Sequence, residues 1–268
     1  MERTQEQKAA DFRELHEGGV FIIPNPWDAG SARVLEALGF KALATTSSGF
    51  AFTLGRLDGG AGPDDVTEHV RRLARSTSLP VSVDLENGYG PDPEHAASAI
   101  TRVAEAGAVG GSIEEFDHDE GELYEPERAA ERIAAAVEAA RGLEFPFALT
   151  ARAENFLRGN PDLDDTIARL RAFEEAGADV LYAPALTTAE QIRTVCEAVS
   201  RPVNVLAFGR LGLSFAAIAE AGAQRVSVGS GLTWAAVNGA IEAAERIIDE
   251  GDFSGLGSPG RVNEWLAG

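Results

Sequence analysis

Glu105-Ala106-Gly107-Ala108 runs directly into Val109-Gly110-Gly111-Ser112-Ile113-Glu114-Glu115, the end of one helix followed by one whole strand. Glycine suits the position just past a helix C-terminus, because it enters the left-handed region at no steric cost. The same Glu-Ala-Gly-Ala recurs at Glu175–Ala178 and Glu220–Ala223, and Glu36–Gly39 is a looser copy. Outward from this unit, short β-rich apolar runs predict strands at Val20–Pro24, Ala42–Thr46, Pro80–Asp84, Val109–Glu114, Phe145–Arg152, Asp179–Ala183, Pro202–Leu206 and Arg225–Val228. Amphipathic stretches alternate with them, at Asp64–Ser76, Asp92–Ala106, Glu125–Arg141, Asp162–Ala176 and Thr188–Val199. Asp92-Pro93, Glu125-Pro126 and Thr187 to Glu190 read as helix starts. Eight βα units without a linker predict an α/β fold, a (β/α)₈ barrel in one domain over residues 1–268. Residues 1–18 form a leading helix in this reading, and 250–268 a C-terminal extension. An open doubly wound sheet is the alternative. It would want a glycine fingerprint after the first strand, where Asn25-Pro26-Trp27-Asp28 stands.

Composition narrows the chemistry. The 268 residues, 44% of them hydrophobic, can build the core of one barrel. A net charge of −20 serves solubility and disfavours nucleic acid or an anionic membrane as partner. The polar stretch Met1 to Gly18 does not resemble a signal peptide, and no apolar run approaches a membrane span, so a cytoplasmic protein is expected. The lone cysteine, Cys196, excludes an intrachain disulfide and is read as a buried helix residue. Only two lysines occur, Lys8 in the leading helix and Lys41 at the start of a strand, neither placed for a Schiff base. His16, His69, His95 and His118 show no zinc-ligand spacing. Any metal should therefore be held by oxygen, which favours Mg²⁺ or Mn²⁺.

Barrel enzymes work at the carboxyl ends of their strands. There the chain places Asn25, Trp27 and Asp28, then Thr45-Thr46-Ser47-Ser48-Gly49 and a Gly-rich loop with Arg56 and Asp58. If the third strand continues to Glu86, its two-residue period puts Ser82, Asp84 and Glu86 on one face. Ser112 shares a face with Glu114, and Arg152 with Glu154. Asp84, Glu86 and Glu114 would then converge, and a divalent cation removes their repulsion. Arg152 offers a planar fork to a carboxylate or phosphonate. The N–H groups of Ser47, Ser48 and Gly49 could hold the other end of that anion. One acid at a strand end can simply cap a helix, but three in succession followed by an arginine argue for a site. Glu115, Glu154 and Asn155 stand evenly between the two readings. Gly229-Ser230-Gly231 reads as a tight turn into the last helix.

From Pro24 to about Ala244 the chain resembles the isocitrate lyase/phosphoenolpyruvate mutase superfamily. The likeness rests on Asn25–Arg33, Thr45–Gly49, Asp84-Leu85-Glu86-Asn87-Gly88-Tyr89-Gly90, Ser112–Glu115 and Ala151–Glu154 in combination. It implies a barrel whose last helix is swapped between subunits of a homodimer or homotetramer. It also implies a 2-oxo acid or phosphonate substrate, bound to Mg²⁺ and reacting through an enolpyruvate-like anion. Carried over, Asp84, Glu86 and Glu114 would hold Mg²⁺ directly or through water, and Ser47, Ser48 and Gly49 the substrate carboxylate. Arg152 would contact substrate, Asp58 would gate or position it, and Asn25 and Trp27 join the substrate-binding set.

The loop after the fourth strand departs from the family. Cleaving lyases carry Lys-x-Cys-Gly-His there, whereas this loop reads Phe116-Asp117-His118-Asp119-Glu120-Gly121-Glu122-Leu123. The cysteine acid of isocitrate or methylisocitrate cleavage is missing, as are the lysine and asparagine of the phosphonomutases. Ala151 to Gly159 nevertheless resembles the mutase branch more. The expectation is a Mg²⁺-dependent enzyme that makes or breaks a bond at carbon 3 of a 2-oxo acid. Decarboxylation of an oxaloacetate-like acid ranks first because CO₂ leaves without a general acid. Carbon–carbon cleavage with His118 or Glu115 as substitute acid ranks second, and phosphonomutase chemistry third. A non-catalytic 2-oxo-acid binder stays open. So does a metal aldolase, which would need a phosphate site near Phe208–Gly212 and Gly229–Gly231.

Overall fold

A computed structural model describes residues 3–208 and 211–267. Its strands are β1 (Phe21–Ile23), β2 (Leu43–Ala44), β3 (Val81–Asp84), β4 (Gly110–Glu114), β5 (Phe116–Asp117), β6 (Glu122–Leu123), β7 (Ala148–Arg152), β8 (Val180–Tyr182), β9 (Val203–Leu206) and β10 (Arg225–Ser227). The helices are α1 (Gln5–Glu17), α2 (Ala29–Ala37), α3 (Ser47–Thr53), α4 (Pro63–Ser76), α5 (Pro93–Glu105), α6 (Pro126–Arg141), α7 (Leu163–Glu175), α8 (Ala189–Ala198), α9 (Phe215–Glu220), α10 (Gly231–Glu250) and α11 (Val262–Ala267). Eight strands form one parallel sheet in the order β1-β10-β9-β8-β7-β4-β3-β2. The two ends meet where Ala44 N–H donates to the Pro24 carbonyl at 3.0 Å, giving a nearly closed (β/α)₈ barrel.

Each expected strand is present, shortened by a residue or more. The glycines of the repeated helix-end signal all take positive φ, with Gly39 at 96°, Gly107 at 108°, Gly177 at 100° and Gly222 at 102°. Outward strand residues such as Val83, Ile113, Leu149, Leu181 and Val205 are buried against the helices. α1 plugs the amino end of the barrel with Phe12, which is fully buried. Gly110 has room for no side chain there, since a Cβ would come within 2.7 Å of the Phe12 ring.

Three features depart from expectation. β3 stops at Asp84, so Glu86 does not continue its face; Glu86 turns into the left-handed region at φ 49°, followed by Tyr89 at 66°. The loop after β4 folds into an antiparallel hairpin, β5 against β6. Ser47 to Gly49 is the first turn of a helix, with Thr46 as its cap. At the other end of the chain, α10 buries only Thr233 among its described residues, and α11 returns to pack on α2. Among the described residues no helix is long and apolar enough to cross a membrane.

Candidate active site

A cavity of about 240 Å³ opens at the carboxyl ends of the barrel strands. Asn25, Ser47, Ser48, Asp58, Asp84 and Arg152 line it, as do Tyr182, Asn204, Arg225 and Ser227. Asp84 sits at the tip of β3 as predicted. Its carboxylate accepts from the N–H of Ser47 at 3.2 Å and of Glu86 at 3.4 Å. Its own N–H donates to the Thr45 hydroxyl at 2.9 Å.

Glu114 and Arg152 are register partners on β4 and β7, and Arg152 Nη1 lies 3.2 Å from Glu114 and 4.0 Å from Asp84. Arg152 Nε pairs with Glu154, which is fully buried. Arg158 closes the network, 2.9 Å from Glu154 and 3.4 Å from Glu114, with its guanidinium over the Phe116 ring. His118 Nε2 reaches Glu114 at 2.9 Å and Glu86 at 3.9 Å.

The electrostatics divide the acids. Burial pushes the Asp84 carboxyl up, Arg152 opposes it, and Glu114 adds to the rise. Burial and then Asp84 lift Glu86 to about 8, with His118 pulling the other way. Burial also acts on Glu114, but Arg152, the His118 bond and Arg158 outweigh it and hold that carboxyl below its ordinary value. Asp84 and Glu86 are thus short of positive charge while Glu114 is not.

That imbalance fits a divalent cation beside Asp84. The donor set is all oxygen, and Mg²⁺ commonly takes one or two carboxylates, several waters and the substrate's oxygens. Among the described residues no three His, Cys, Asp or Glu side chains surround one point. Of the three expected ligands only Asp84 lines the cavity; Glu86 and Glu114 stand behind it, where water would bridge.

Several expected residues lie elsewhere. Strand alternation turns Glu115 outward, where its carboxylate accepts from Arg169 at 2.9 Å and from Glu154 N–H at 3.1 Å. Burial, partly offset by Arg169, puts its carboxyl at about 7, and the side chain does not line the cavity. His118 also lies outside the cavity lining, in a neighbouring pocket with Glu86 and Gly59. Trp27 and Gly49 back the site instead of lining it, for a Cβ on Gly49 would meet Thr233 and Thr46 at 2.6 Å and Trp27 at 3.3 Å. The Gly49 N–H is taken by its cap, Thr46, at 3.3 Å. Asn25 joins three strand ends, donating to the Thr45 carbonyl at 2.9 Å and accepting from Val228 N–H at 3.0 Å.

The residues not foreseen are Arg158, Tyr182, Asn204, Arg225 and Ser227. Alternation along Pro202-Val203-Asn204-Val205 and Arg225-Val226-Ser227 marks the last three as inward polar residues. Ala183 to Leu186, after β8, offers no charged residue, and of the candidate phosphate loop Phe208–Gly212, Gly209 and Arg210 lie outside the described residues. Gly229 turns at φ 53° into α10, as expected of a tight turn.

Comparison with known proteins gives a consistent picture. The family model for phosphoenolpyruvate phosphomutase matches residues 12–248. A crystal structure of a lyase/mutase from Burkholderia cenocepacia is 50% identical, with a TM-score of 0.94 and coverage of 98% of this chain and 97% of that one. The 2-methylisocitrate lyase of Halalkalibacterium halodurans is 32% identical over 236 residues, 84% of this chain and 76% of that protein. An oxaloacetate decarboxylase of Bradyrhizobium is 29% identical over 204 residues, 71% and 65% of the two chains.

Proposed function

Because the chain belongs to the phosphoenolpyruvate mutase/isocitrate lyase superfamily, we propose that it is a Mg²⁺-dependent lyase that decarboxylates an oxaloacetate-like 2-oxo acid. One observation carries the reading: neither His118 nor Glu115 lines the cavity, so no side chain of the β5–β6 hairpin stands ready as a general acid. Loss of CO₂ needs none.

Asp84 would hold the metal, with Glu86 and Glu114 acting through water. When bound, Mg²⁺ supplies a Lewis acid for the substrate's carboxylate and 2-oxo oxygens. Ser47 and Ser48 orient the carboxylate from the first turn of α3. The bond between carbons 3 and 4 breaks, CO₂ departs, and the electron pair passes into an enolpyruvate-like anion. Arg152 stabilises the developing enolate oxygen, held in place by Glu114 and Glu154. Water then delivers the proton to carbon 3. Asp58, on the Gly-rich loop and lining the cavity mouth, positions substrate.

The likeness to 2-methylisocitrate lyase favours carbon–carbon cleavage as the second reading. It requires an acid to reach the leaving carbanion, which His118 can do only by leaving Glu114. The almost bare α10 supports a homo-oligomer in which that helix docks on a partner copy, to be checked by light scattering.

The test is NMR of the protein with Mg²⁺ and, in turn, oxaloacetate, phosphonopyruvate, methylisocitrate and a 2-alkylmalate. Pyruvate formed from oxaloacetate faster than with Mg²⁺ alone, and stopped by EDTA, is the expected result. Turnover of another member instead would replace the decarboxylase reading. No turnover with Mg²⁺-dependent oxalate binding would leave a 2-oxo-acid binder.

A further inference from the structure

The register partners Glu114, Arg152, Tyr182, Asn204 and Arg225 form one row across β4, β7, β8, β9 and β10. Strand tilt carries the row from the carboxyl end, at Glu114, to the amino end, at Arg225. The one carboxylate of the row, Glu114, stands at its upper end paired with Arg152; its lower end is a cation with no acid beside it in the row.

Arg225 is 5% exposed. Its Nε donates to Asn204 Oδ1 at 2.9 Å, Nη2 to the Thr150 hydroxyl at 2.9 Å, and Nη1 to His16 Nε2 at 3.2 Å. Because the guanidinium can only donate, His16 Nε2 accepts and carries no proton, which leaves Nδ1–H to donate to the Phe12 carbonyl at 2.8 Å and makes the imidazole neutral. All three acceptors are uncharged. Of the other buried arginines among the described residues, Arg169 pairs with Glu115 and Asp165, while Arg132, held by the carbonyls of Asn87 and Asp92, also lacks an anion but lies away from the cavity. A buried guanidinium usually finds an anion, because burying the charge alone is costly. Burial indeed lowers Arg225 to about 10, with only Tyr182 acting in the other direction.

The cavity extends down to this group. Ser82, Ser112, Asn204 and Ser227 line it beside Arg225. Barrel interiors are ordinarily filled at this depth by Val, Ile and Leu. Here short hydroxyls and an amide leave space, and the guanidinium has five N–H donors of which three directions are used. A polar chamber with one unmatched positive charge is the physical requirement for holding an anion.

We propose that the inner end of the cavity is a separate anion subsite, in which Arg225 binds a carboxylate-type monoanion. Two sources fit this chemistry: a free small carboxylate from solution, or the far carboxylate of a substrate diacid reaching down from the mouth. Only the second rests on the function proposed above.

The probe is sodium formate, titrated into the full chain at constant ionic strength, with sodium gluconate, too large for the chamber, as control. Binding is read as calorimetric heat and as an upward shift of the unfolding temperature. Wild type and Arg225→Lys, which keeps the charge, should bind formate but not gluconate; Arg225→Met should lose formate binding. If the far carboxylate of a diacid is the occupant, formate should compete with oxaloacetate, and Arg225→Met should weaken oxaloacetate about tenfold or more while sparing pyruvate. If a free anion is the occupant, formate should bind without competing. Wild-type protein giving no formate-specific heat or shift overturns the proposal, whether or not Arg225→Met folds, as does a folded Arg225→Met that binds formate like wild type. A failure of Mg²⁺-dependent oxalate binding would strike the reading of the mouth and leave the formate result standing.

Discussion

Replacing Arg152 by Met removes the cation that stands between two buried glutamates. Glu114 is 4% exposed and Glu154 fully buried, so neither can recover its loss by hydration. Breaking a buried pair by deleting one partner costs about 3–5 kcal/mol. Arg158 remains, at 2.9 Å from Glu154 and 3.4 Å from Glu114, and His118 remains at 2.9 Å from Glu114. Those contacts place the expected loss near the lower end, at about 3 kcal/mol. Glu154→Gln in the Arg152→Met background removes one of the stranded charges and should return about 1–2 kcal/mol. Catalysis behaves differently: the single variant should lose about a hundredfold or more in rate, and the double variant should stay equally slow. Urea unfolding at neutral pH without added metal reads the stability, and pyruvate formation reads the rate. Arg152→Met within about 1 kcal/mol of wild type, as exposed pairs behave, would refute the reasoning. So would a Glu154→Gln that deepens the loss.

Four further outcomes are expected. Asp84→Ala should abolish Mg²⁺-dependent oxalate binding in calorimetry while circular dichroism stays unchanged; unaltered binding would remove the metal from β3. Gly49→Ala should destabilise the protein by about 1–3 kcal/mol in urea unfolding, because its Cβ would meet Thr233 and Thr46 at 2.6 Å. Cys196→Ala should leave activity unchanged; the half-buried thiol, raised to about 11 by burial, should react with iodoacetamide far more slowly than a free thiol at neutral pH. Burial and then Arg225 lower His16 from 6.5 to about 3, so the fold favours its neutral form. Its contribution is complete above pH 6.5 and is lost as pH falls toward 3, at about 1.4 kcal/mol per unit; His16→Gln should flatten the wild-type slope by that amount between pH 6 and 4.5 in urea titrations.

The barrel was legible because its two signals are local and repeated. A glycine at a helix end needs positive φ whatever lies beyond it, and a β-rich run after it has one economical fate. Where the deciding contact is distant, sequence reasoning fails. Period two would carry β3 on to Glu86, but the Glu86 carbonyl instead accepts from Glu114 N–H at 2.8 Å, and that cross-strand bond goes with a left-handed turn. Glu86 therefore reaches the acid cluster from a strained loop, a cost tolerated at functional sites. The same limit hid the hairpin, whose two-residue strands are too short to show alternation.

Alternation did settle one pair of neighbours. Glu114 and Glu115 are adjacent acids at a strand end, and only strand geometry separates them: one faces Arg152 inside, the other Arg169 on α7. That separation bears directly on the reaction. An outward Glu115 held by Arg169 and a His118 held by Glu114 leave the hairpin without a proton donor in the cavity, whatever its sequence resembles. The proposed loss of CO₂, which departs as a neutral molecule, is compatible with such a wall. Adding an acid to it is accordingly the informative change: a cysteine introduced at His118 should not raise cleavage of methylisocitrate unless the hairpin also turns inward, because the position, and not only the missing thiol, lies outside the cavity.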